Sequence, residues 1–160
     1  MQPATIRVAR ADDAAAIHAL ITELAEFEKL TSLLVASEQS LREALAGTQP
    51  RVECLVAEFD GEVVAYALFF HNYSTFLGRR GLYLEDLYVS PKARRAGIAT
   101  RMLRQVAQIA VERQCGRFEW TVLDWNESAI RFYEGLGANV LPDWRVVRMS
   151  GPSLEAFARG

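Results

Sequence analysis

The sequence predicts an α/β (α+β) protein with a central, mixed but mostly antiparallel sheet flanked by about four helices. Three features of the chain predict this class. Segments in which every second residue is apolar alternate with segments in which apolar residues recur at i, i+3 and i+4. The pair Asp60-Gly61 is a tight-turn signal between two strand-like segments and predicts an antiparallel hairpin. A helical segment between two later strand-like segments predicts a crossover unit.

The first half of the chain is predicted to contain a strand, two helices and the hairpin. Residues 5–10 alternate like a strand. Asp12 or Asp13 can cap a helix that runs to about Glu28, and Ser37 can cap a shorter helix that Gly47 closes. The apolar face of the first helix repeats at i, i+3, i+4 and i+7 through Ile17, Leu20, Ile21 and Leu24. The hairpin strands are predicted at 52–59 and 63–70.

The second half is predicted to begin with a strand at 82–89 that ends at Ser90-Pro91. A helix is expected over 97–114, because its apolar residues lie on one face of a helix of normal period. A strand at 118–123 and a short helix at 128–134 follow. Val140 and residues 146–149 predict a last hairpin around Pro142-Asp143.

Composition predicts one domain over residues 1–160 and argues against several classes of function. The chain is 51% hydrophobic and 24% charged, and it contains no run of about 20 apolar residues or signal-peptide pattern, so a cytoplasmic protein is expected. A formal net charge of −2 gives no basic excess, and neither nucleic acid nor a membrane is expected as a partner. Two cysteines and two histidines without metal-ligand spacing predict no metal site.

The most informative segment joins the predicted strand 82–89 to the helix that begins near residue 97. A helix N-terminus carries unpaired N–H groups and the positive end of the helix dipole, which together suit a diphosphate. The small residues Ala96, Gly97 and Ala99 let the backbone approach such a ligand, and Arg94 and Arg95 add positive charge. The segment is neither a Walker A motif nor a G-x-G-x-x-G motif. Taken alone, it equally suits an ordinary turn with solvated arginines.

The pattern Arg94-x-x-Gly97-x-Ala99 after a strand that ends Leu87-Tyr88-Val89 is similar to the acetyl-CoA pyrophosphate loop of the GNAT acyltransferases. Residues 125–138 resemble a later segment of the same family, and the order of the predicted elements looks like the GNAT fold. The resemblance implies acetyl-CoA as co-substrate and no metal. It assigns cofactor binding to Leu87, Tyr88, Val89, Arg94, Arg95, Ala96, Gly97, Ile98, Ala99, Thr100, Asn126 and Tyr133.

Within that family the sequence resembles the diamine acetyltransferases, above all the thialysine N-epsilon-acetyltransferase branch. The likeness rests on residues 23–30, 73–75, 83–86 and 122–126 and extends over about 6–149. It implies a homodimer that acetylates the primary amine of a small molecule. It assigns acceptor binding to Phe27, Glu28, Ser74, Thr75, Glu85 and Asp86.

The resemblance also implies the catalytic roles. An alkylammonium must lose a proton before it attacks a thioester, and Glu85 is assigned as the base, acting directly or through water. Tyr133 is assigned as the acid that protonates the departing thiolate. In a regular strand Glu85 and Asp86 would point to opposite faces, whereas a bulge would turn both toward one site and free a backbone N–H near Leu87 or Tyr88 for the thioester oxygen.

Each assignment has a structural alternative. Glu85 can be a rim charge paired with an arginine, Tyr133 a packing aromatic and Asn126 a plain helix cap. Ser74 and Thr75 stand where polyamine-specific relatives look more acidic, which favours a lysine-like amine or short diamine over spermine. Two alternatives to the whole function remain, namely acetylation of a protein lysine or N-terminus and a catalytically silent acyl-CoA sensor.

Two departures from the family pattern accompany these assignments. The second position of the loop is Arg95 rather than the more usual glycine. The segment 139–144 looks shorter than in animal relatives. The residues that would contact the acceptor amine are therefore the part of the site about which the resemblance implies least.

Overall fold

The computed structural model describes residues 3–94 and 96–160. The chain divides into two compact units, one ending at Thr121 and the other running from Val122 to Gly160. The first unit contains β1 (Thr5–Val8), α1 (Ala14–Phe27), α2 (Glu38–Leu45), β2 (Glu53–Phe59), β3 (Glu62–Ser74), β4 (Arg79–Val89), α3 (Ile98–Glu112) and β5 (Phe118–Glu119). The second contains α4 (Glu127–Gly135) and α5 (Gly151–Arg159).

The strands form one sheet in the order β1-β2-β3-β4-β5. The first three pairings are antiparallel, and β4 pairs with β5 in parallel. The predicted α/β class, with a mixed and mostly antiparallel sheet, is therefore confirmed. The β4–α3–β5 segment is the predicted crossover unit, because a parallel pairing requires a long connection.

Local sequence signals explain where several elements begin and turn. Asp60 and Gly61 both have positive φ, 49° and 79°, as the tight turn between β2 and β3 requires. The Ser37 side chain accepts a hydrogen bond from the backbone N–H of Ser40 and so caps α2, as predicted. Asp13 precedes α1, but its carboxylate instead accepts from the N–H of Arg10 and pairs with Arg7 at 2.8 Å.

The sheet is covered by helices on both faces. On one face, Cys54, Val56, Tyr66, Leu68 and Tyr88 pack in a single buried cluster with α1 and Leu41 of α2. Side chains alternate along a strand, so Leu55 and Ala57 point to the opposite face, where α3 packs. We call these the α1 face and the α3 face. Each large side chain fully buried in such a layer contributes about 1.5–3 kcal/mol to folding.

A β-bulge interrupts β4 and sets the orientation of the candidate site. Leu68 pairs with Asp86, whereas the next residue of β3, Phe69, pairs with Leu84, so Glu85 is an extra residue without a direct partner on β3. Leu84 and Leu87 are opposite Phe69 and Ala67, which belong to the α3 face. Glu85 and Asp86 therefore both lie between Leu84 and Leu87, where a regular strand would have a single residue.

The structure corrects two predictions for the end of the chain. The predicted strand 118–123 is limited to Phe118–Glu119, because β4 bends at the bulge where its ladder with β5 stops. The hairpin predicted at Val140 and 146–149 is wrong. A turn forms at Pro142, but the described residues beside it form no ladder, since β-branched residues favour strands only when a neighbouring strand packs against them.

The helix α5 was not predicted from the sequence. The sequence signal for this helix was Pro152, since proline is favoured in the first turn of a helix.

Candidate active site

The bulge gathers carboxylates at the edge of the α1 face. Asp86 lies opposite Leu68 and diagonal to Tyr66, two residues of the α1-face cluster. Glu85 is exposed, whereas Asp86 is half-buried. The predicted bulge is thus present, and it lets neighbouring carboxyl groups approach one site despite their adjacency in a strand.

Asp86 has the most perturbed carboxyl group of this site. Burial is the main cause that raises its pKa, and the nearby Glu85 and Glu28 carboxylates raise it further, while a hydrogen bond from Tyr66 opposes them. The result is a pKa of about 6. The Tyr66 hydroxyl donates this bond to Oδ2 of Asp86 at 3.1 Å. A carboxylate with this pKa is a far better proton acceptor near neutral pH than an ordinary aspartate.

Glu28 approaches the same cluster from the end of α1. It is the C-cap of that helix, and burial raises the pKa of its carboxyl group. Its neighbour Phe27, another predicted acceptor residue, is 46% exposed, and its ring lies against the Arg94 guanidinium. The structure therefore brings together three of the predicted acceptor residues, Glu28, Glu85 and Asp86. These three carboxyl groups can hold a primary ammonium group through charge.

The other predicted acceptor residues, Ser74 and Thr75, lie elsewhere in the chain. Ser74 ends β3, is 5% exposed, and its hydroxyl accepts a hydrogen bond from the backbone N–H of Leu77 within the turn to β4. Ser74 lies six positions along β3 from Leu68, the partner of Asp86, and at about 3.3 Å per position the separation is about 20 Å. A single chain therefore does not bring Ser74 and Thr75 to the carboxylates.

The N-terminus of α3 follows a left-handed turn at Gly97. Gly97 has φ +67° and is the N-cap, and an added Cβ would meet no atom within 4 Å. The first helical residues, Ile98, Ala99 and Thr100, have no intrahelical acceptor for their N–H groups. Ala96 precedes this turn, and the diphosphate site predicted at this helix start stays a prediction.

Arg94 connects this loop to the end of α1. Its Nε donates to the carbonyl of Val89 at 3.2 Å, and its guanidinium carbon lies 5.8 Å from the ring centroids of both Phe27 and Tyr88. The loop and the carboxylate cluster are therefore neighbours in the first unit. Arg95, the other predicted loop arginine, lies outside the described residues.

The ladder between β4 and β5 ends before β4 reaches the loop. The described ladder with β5 consists of Leu82 with Phe118 and Tyr83 with Glu119. Beyond Tyr83, β4 continues to Val89 and includes the predicted cofactor residues Leu87 and Tyr88. Strand backbone groups in this position can bind the amide groups of an extended ligand, as in strand addition.

Two predicted residues belong to the second unit. Asn126 is the N-cap of α4, and its side chain accepts from the N–H of Ala129 at 3.3 Å. The cap predicted as an alternative for Asn126 is thus present, and capping does not exclude ligand binding. Tyr133 lies in α4, where its ring centroid is 5.5 Å from that of Phe132. Its role as the acid stays a prediction.

Comparison with known proteins decides the family. The profile described as Acetyltransferase (GNAT) family matches residues 15–138, which is more than half of the chain. The chain belongs to the GNAT acetyltransferase family. This confirms the membership predicted from the loop and the later segment, and with it an acyltransferase enzyme. GNAT acetyltransferases use acetyl-CoA as co-substrate.

Individual relatives agree with this membership. Thialysine N-epsilon-acetyltransferase of Mus musculus is 41% identical, with 99% of both chains covered. L-ornithine N5-acetyltransferase NATA1 of Arabidopsis thaliana is 33% identical, with 95% of this chain and 86% of the relative covered. An integron cassette protein from the mobile metagenome of V. cholerae has a TM-score of 0.82 at 24% identity over the whole of both chains, which shows the fold.

The GNAT chain has groups of the kind that acetyl-CoA needs. A diphosphate suits the N–H groups at a helix start behind a glycine in the left-handed conformation, and an amide-containing arm suits the backbone of β4 beyond its ladder with β5. Among the described residues, no group of three or more His, Cys, Asp or Glu side chains is arranged to hold a metal ion. No described helix is both long and apolar enough to cross a bilayer.

Sequence reasoning missed two partners of the site residues. Tyr66 donates to Asp86, and Tyr88 donates to Oε2 of Glu23 at 3.1 Å. Only the register of β3 with β4 could have identified the first pair. That register depends on the bulge at Glu85 and on the length of the hairpin, and no local pattern in the sequence specifies either.

Proposed function

We propose that this enzyme transfers the acetyl group of acetyl-CoA to the primary amine of a small molecule, such as thialysine, lysine, ornithine or a short diamine. The observation that carries the proposal is the cluster of Glu28, Glu85 and Asp86 beside the start of α3. The names of relatives from mouse and Arabidopsis, which act on thialysine and L-ornithine, support this class of acceptor.

In the proposed mechanism the amine attacks the thioester directly. Glu85 removes the proton of the ammonium group, directly or through water, while Asp86 and Glu28 hold that group by charge. A backbone N–H near Leu87 or Tyr88 binds the thioester oxygen as it gains negative charge. Tyr133 protonates the departing thiolate.

The relative roles of Glu85 and Asp86 are open to a direct comparison. The raised pKa of Asp86 also qualifies it as the proton acceptor. If Glu85 is the base, Glu85→Gln lowers kcat by about 10²–10⁴-fold and Asp86→Asn acts mainly on the KM of the amine. The reverse pattern assigns the proton transfer to Asp86.

The carboxylates of the cluster set a limit on the acceptor. They provide enough negative charge for one ammonium group, and within one chain Ser74 and Thr75 are about 20 Å away along β3. A confined cation without a partner is penalised, so we propose that thialysine and ornithine are used with higher kcat/KM than spermidine or spermine.

Thiol release from acetyl-CoA with a panel of amines tests the proposal. The panel contains thialysine, lysine, ornithine, putrescine, spermine and a lysine-containing peptide. We expect thialysine or ornithine to give the highest kcat/KM. Preference for the peptide supports protein acetylation instead, and acetyl-CoA binding without turnover on any amine supports the silent sensor.

We also propose one domain over residues 1–160, a cytoplasmic location and a homodimer, on the strength of the family resemblance. Light scattering of the purified protein measures its mass directly. A mass near 17.9 kDa, that of one chain, contradicts the homodimer.

A further inference from the structure

Tyr66 places a hydroxyl group under the carboxylate cluster from the interior of the sheet. It is 0% exposed and belongs to the core cluster of the α1 face. It pairs with Val56 on one side and Tyr88 on the other, so its ring lies between two strands. Its hydroxyl reaches diagonally to Oδ2 of Asp86 at 3.1 Å. A packed ring of this kind fixes its hydroxyl with little freedom.

We propose that Tyr66 is a positioning residue for the acetyl acceptor, because its hydroxyl holds one oxygen of Asp86 in place and leaves the other for the substrate ammonium group. The inference rests on the proposed function, since it gives a role to a residue behind the carboxylates that would bind the amine. Tyr66 itself is too deeply buried to touch the substrate.

The groups around Asp86 explain why a neutral donor is needed there. Glu28 after α1 and Glu85 on β4 both repel its negative charge, and Cys54 on β2 interacts with it from the core. Burial disfavours the charge as well. Tyr66 on β3 donates a hydrogen bond to Asp86, and such a bond favours the ionised form of the carboxyl group. Without it, the carboxylate would be protonated at a higher pH and would lose its attraction for a cation.

The neighbouring polar groups are engaged with other partners. The Cys54 thiol donates to the carbonyl of Leu55, and burial raises its pKa to about 12. The Tyr88 hydroxyl donates to Glu23. Replacement of Tyr66 by Phe therefore keeps the packed ring and removes the donor without a substitute already in place.

The first experiment measures kcat/KM for thialysine against pH in wild type, Tyr66→Phe and the control Tyr83→Phe. Tyr83 is a half-buried tyrosine of β4 that packs against Phe70. A hydrogen bond to a charged group shifts a pKa by about one pH unit or more. We expect kcat/KM of Tyr66→Phe to fall about fivefold at pH 6 relative to wild type and to recover above pH 8, while the KM for acetyl-CoA changes little. A loss that is equal at every pH, or the same as in Tyr83→Phe, overturns the proposal.

The second experiment does not depend on turnover. Titration of the Asp86 carboxyl carbon by ¹³C NMR should give a midpoint about one pH unit higher in Tyr66→Phe than in wild type. Equal midpoints overturn the inference. If the wild-type protein acetylates no amine, the proposed function fails, and this measurement still decides whether Tyr66 controls Asp86.

A third measurement serves if Tyr66→Phe does not fold. In the wild-type protein, the ring carbon that bears the Tyr66 hydroxyl should report the ionisation of Asp86 with the same midpoint as the Asp86 carbon. No response of the Tyr66 signal over that pH range contradicts the proposed link.

Discussion

Replacement of Asp86 by Asn is expected to stabilise the protein at alkaline pH while it impairs acetyl transfer. In the folded protein the pKa of Asp86 rises from its ordinary 3.8 to about 6, with burial as the main cause. A carboxyl group whose pKa is raised by folding binds its proton more tightly in the folded state. Its ionisation therefore destabilises the fold, and this loss develops as the pH rises from about 4 to above 6.

The magnitude follows from the size of the shift. A shift of about two pH units at roughly 1.4 kcal/mol each gives about 3 kcal/mol as the full cost of holding Asp86 ionised in the fold. The amide that the Asp86→Asn substitution introduces cannot ionise, and its oxygen can still accept the hydrogen bond from Tyr66. We therefore expect Asp86→Asn to raise the free energy of unfolding by about 2–3 kcal/mol at pH 8 and by little at pH 4.

Urea unfolding of wild type and Asp86→Asn at pH 4, 6 and 8 measures this difference. Asp13→Asn is a matched control, because the guanidinium of Arg7 beside Asp13 lowers the pKa of that carboxyl group. Its ionised form stabilises the fold above pH 3.8, so Asp13→Asn should destabilise the protein by similar amounts at pH 6 and pH 8, and this effect should disappear only as the pH falls well below 3.8. The reasoning is refuted if Asp86→Asn destabilises the protein at pH 8 or changes its stability equally at all three pH values.

Three further variants test other parts of the enzyme. Gly97→Val forces a β-branched residue to a φ of +67° at the start of α3, and acetyl-CoA affinity measured by calorimetry should fall about tenfold or more, while an unchanged affinity in a folded variant would exclude this loop as the diphosphate site. Tyr133→Phe should lower kcat by about 10²–10⁴-fold with little change in acetyl-CoA affinity, and wild-type turnover with chemistry rate-limiting would remove Tyr133 as the acid. Met102→Ala opens a cavity under α3 at a fully buried position and should cost about 2–5 kcal/mol in urea unfolding, whereas a cost below about 1 kcal/mol would mean that the site collapses to fill the space.

The elements that sequence predicted well are those whose signals are local. Asp60 and Gly61 provide both positive φ angles of their turn, and Ser37 caps its helix through its own side chain. The glycine turn at the start of α3 was predicted for the same reason, since the glycine and the small residues around it are contiguous in the chain. Such features need no knowledge of which strands pair.

The features that sequence did not predict depend on pairing. The ladder between β4 and β5 ends where the bulge bends β4, so β-propensity alone overestimated the strand at 118–123. Tyr66 and Asp86 are twenty residues apart and meet only in the observed register. The separation of Ser74 from the carboxylates likewise follows from how far the β3–β4 hairpin extends past Phe70.

Because of the extra residue at position 85, the β4 side chains that face α3 have even numbers before the bulge and odd numbers after it. Leu82 and Leu84 occupy even positions on the α3 face, whereas Leu87 and Val89 occupy odd positions on that face. Any chimaera or loop graft joined within β4 must therefore preserve the count of residues as well as their type. Deletion of one residue at the bulge would restore regular alternation, keep these leucines on the α3 face and leave one carboxyl residue where there are now two. In an alignment of GNAT sequences, a gap at this column would accordingly signal a different acceptor site, even where every motif around it is retained.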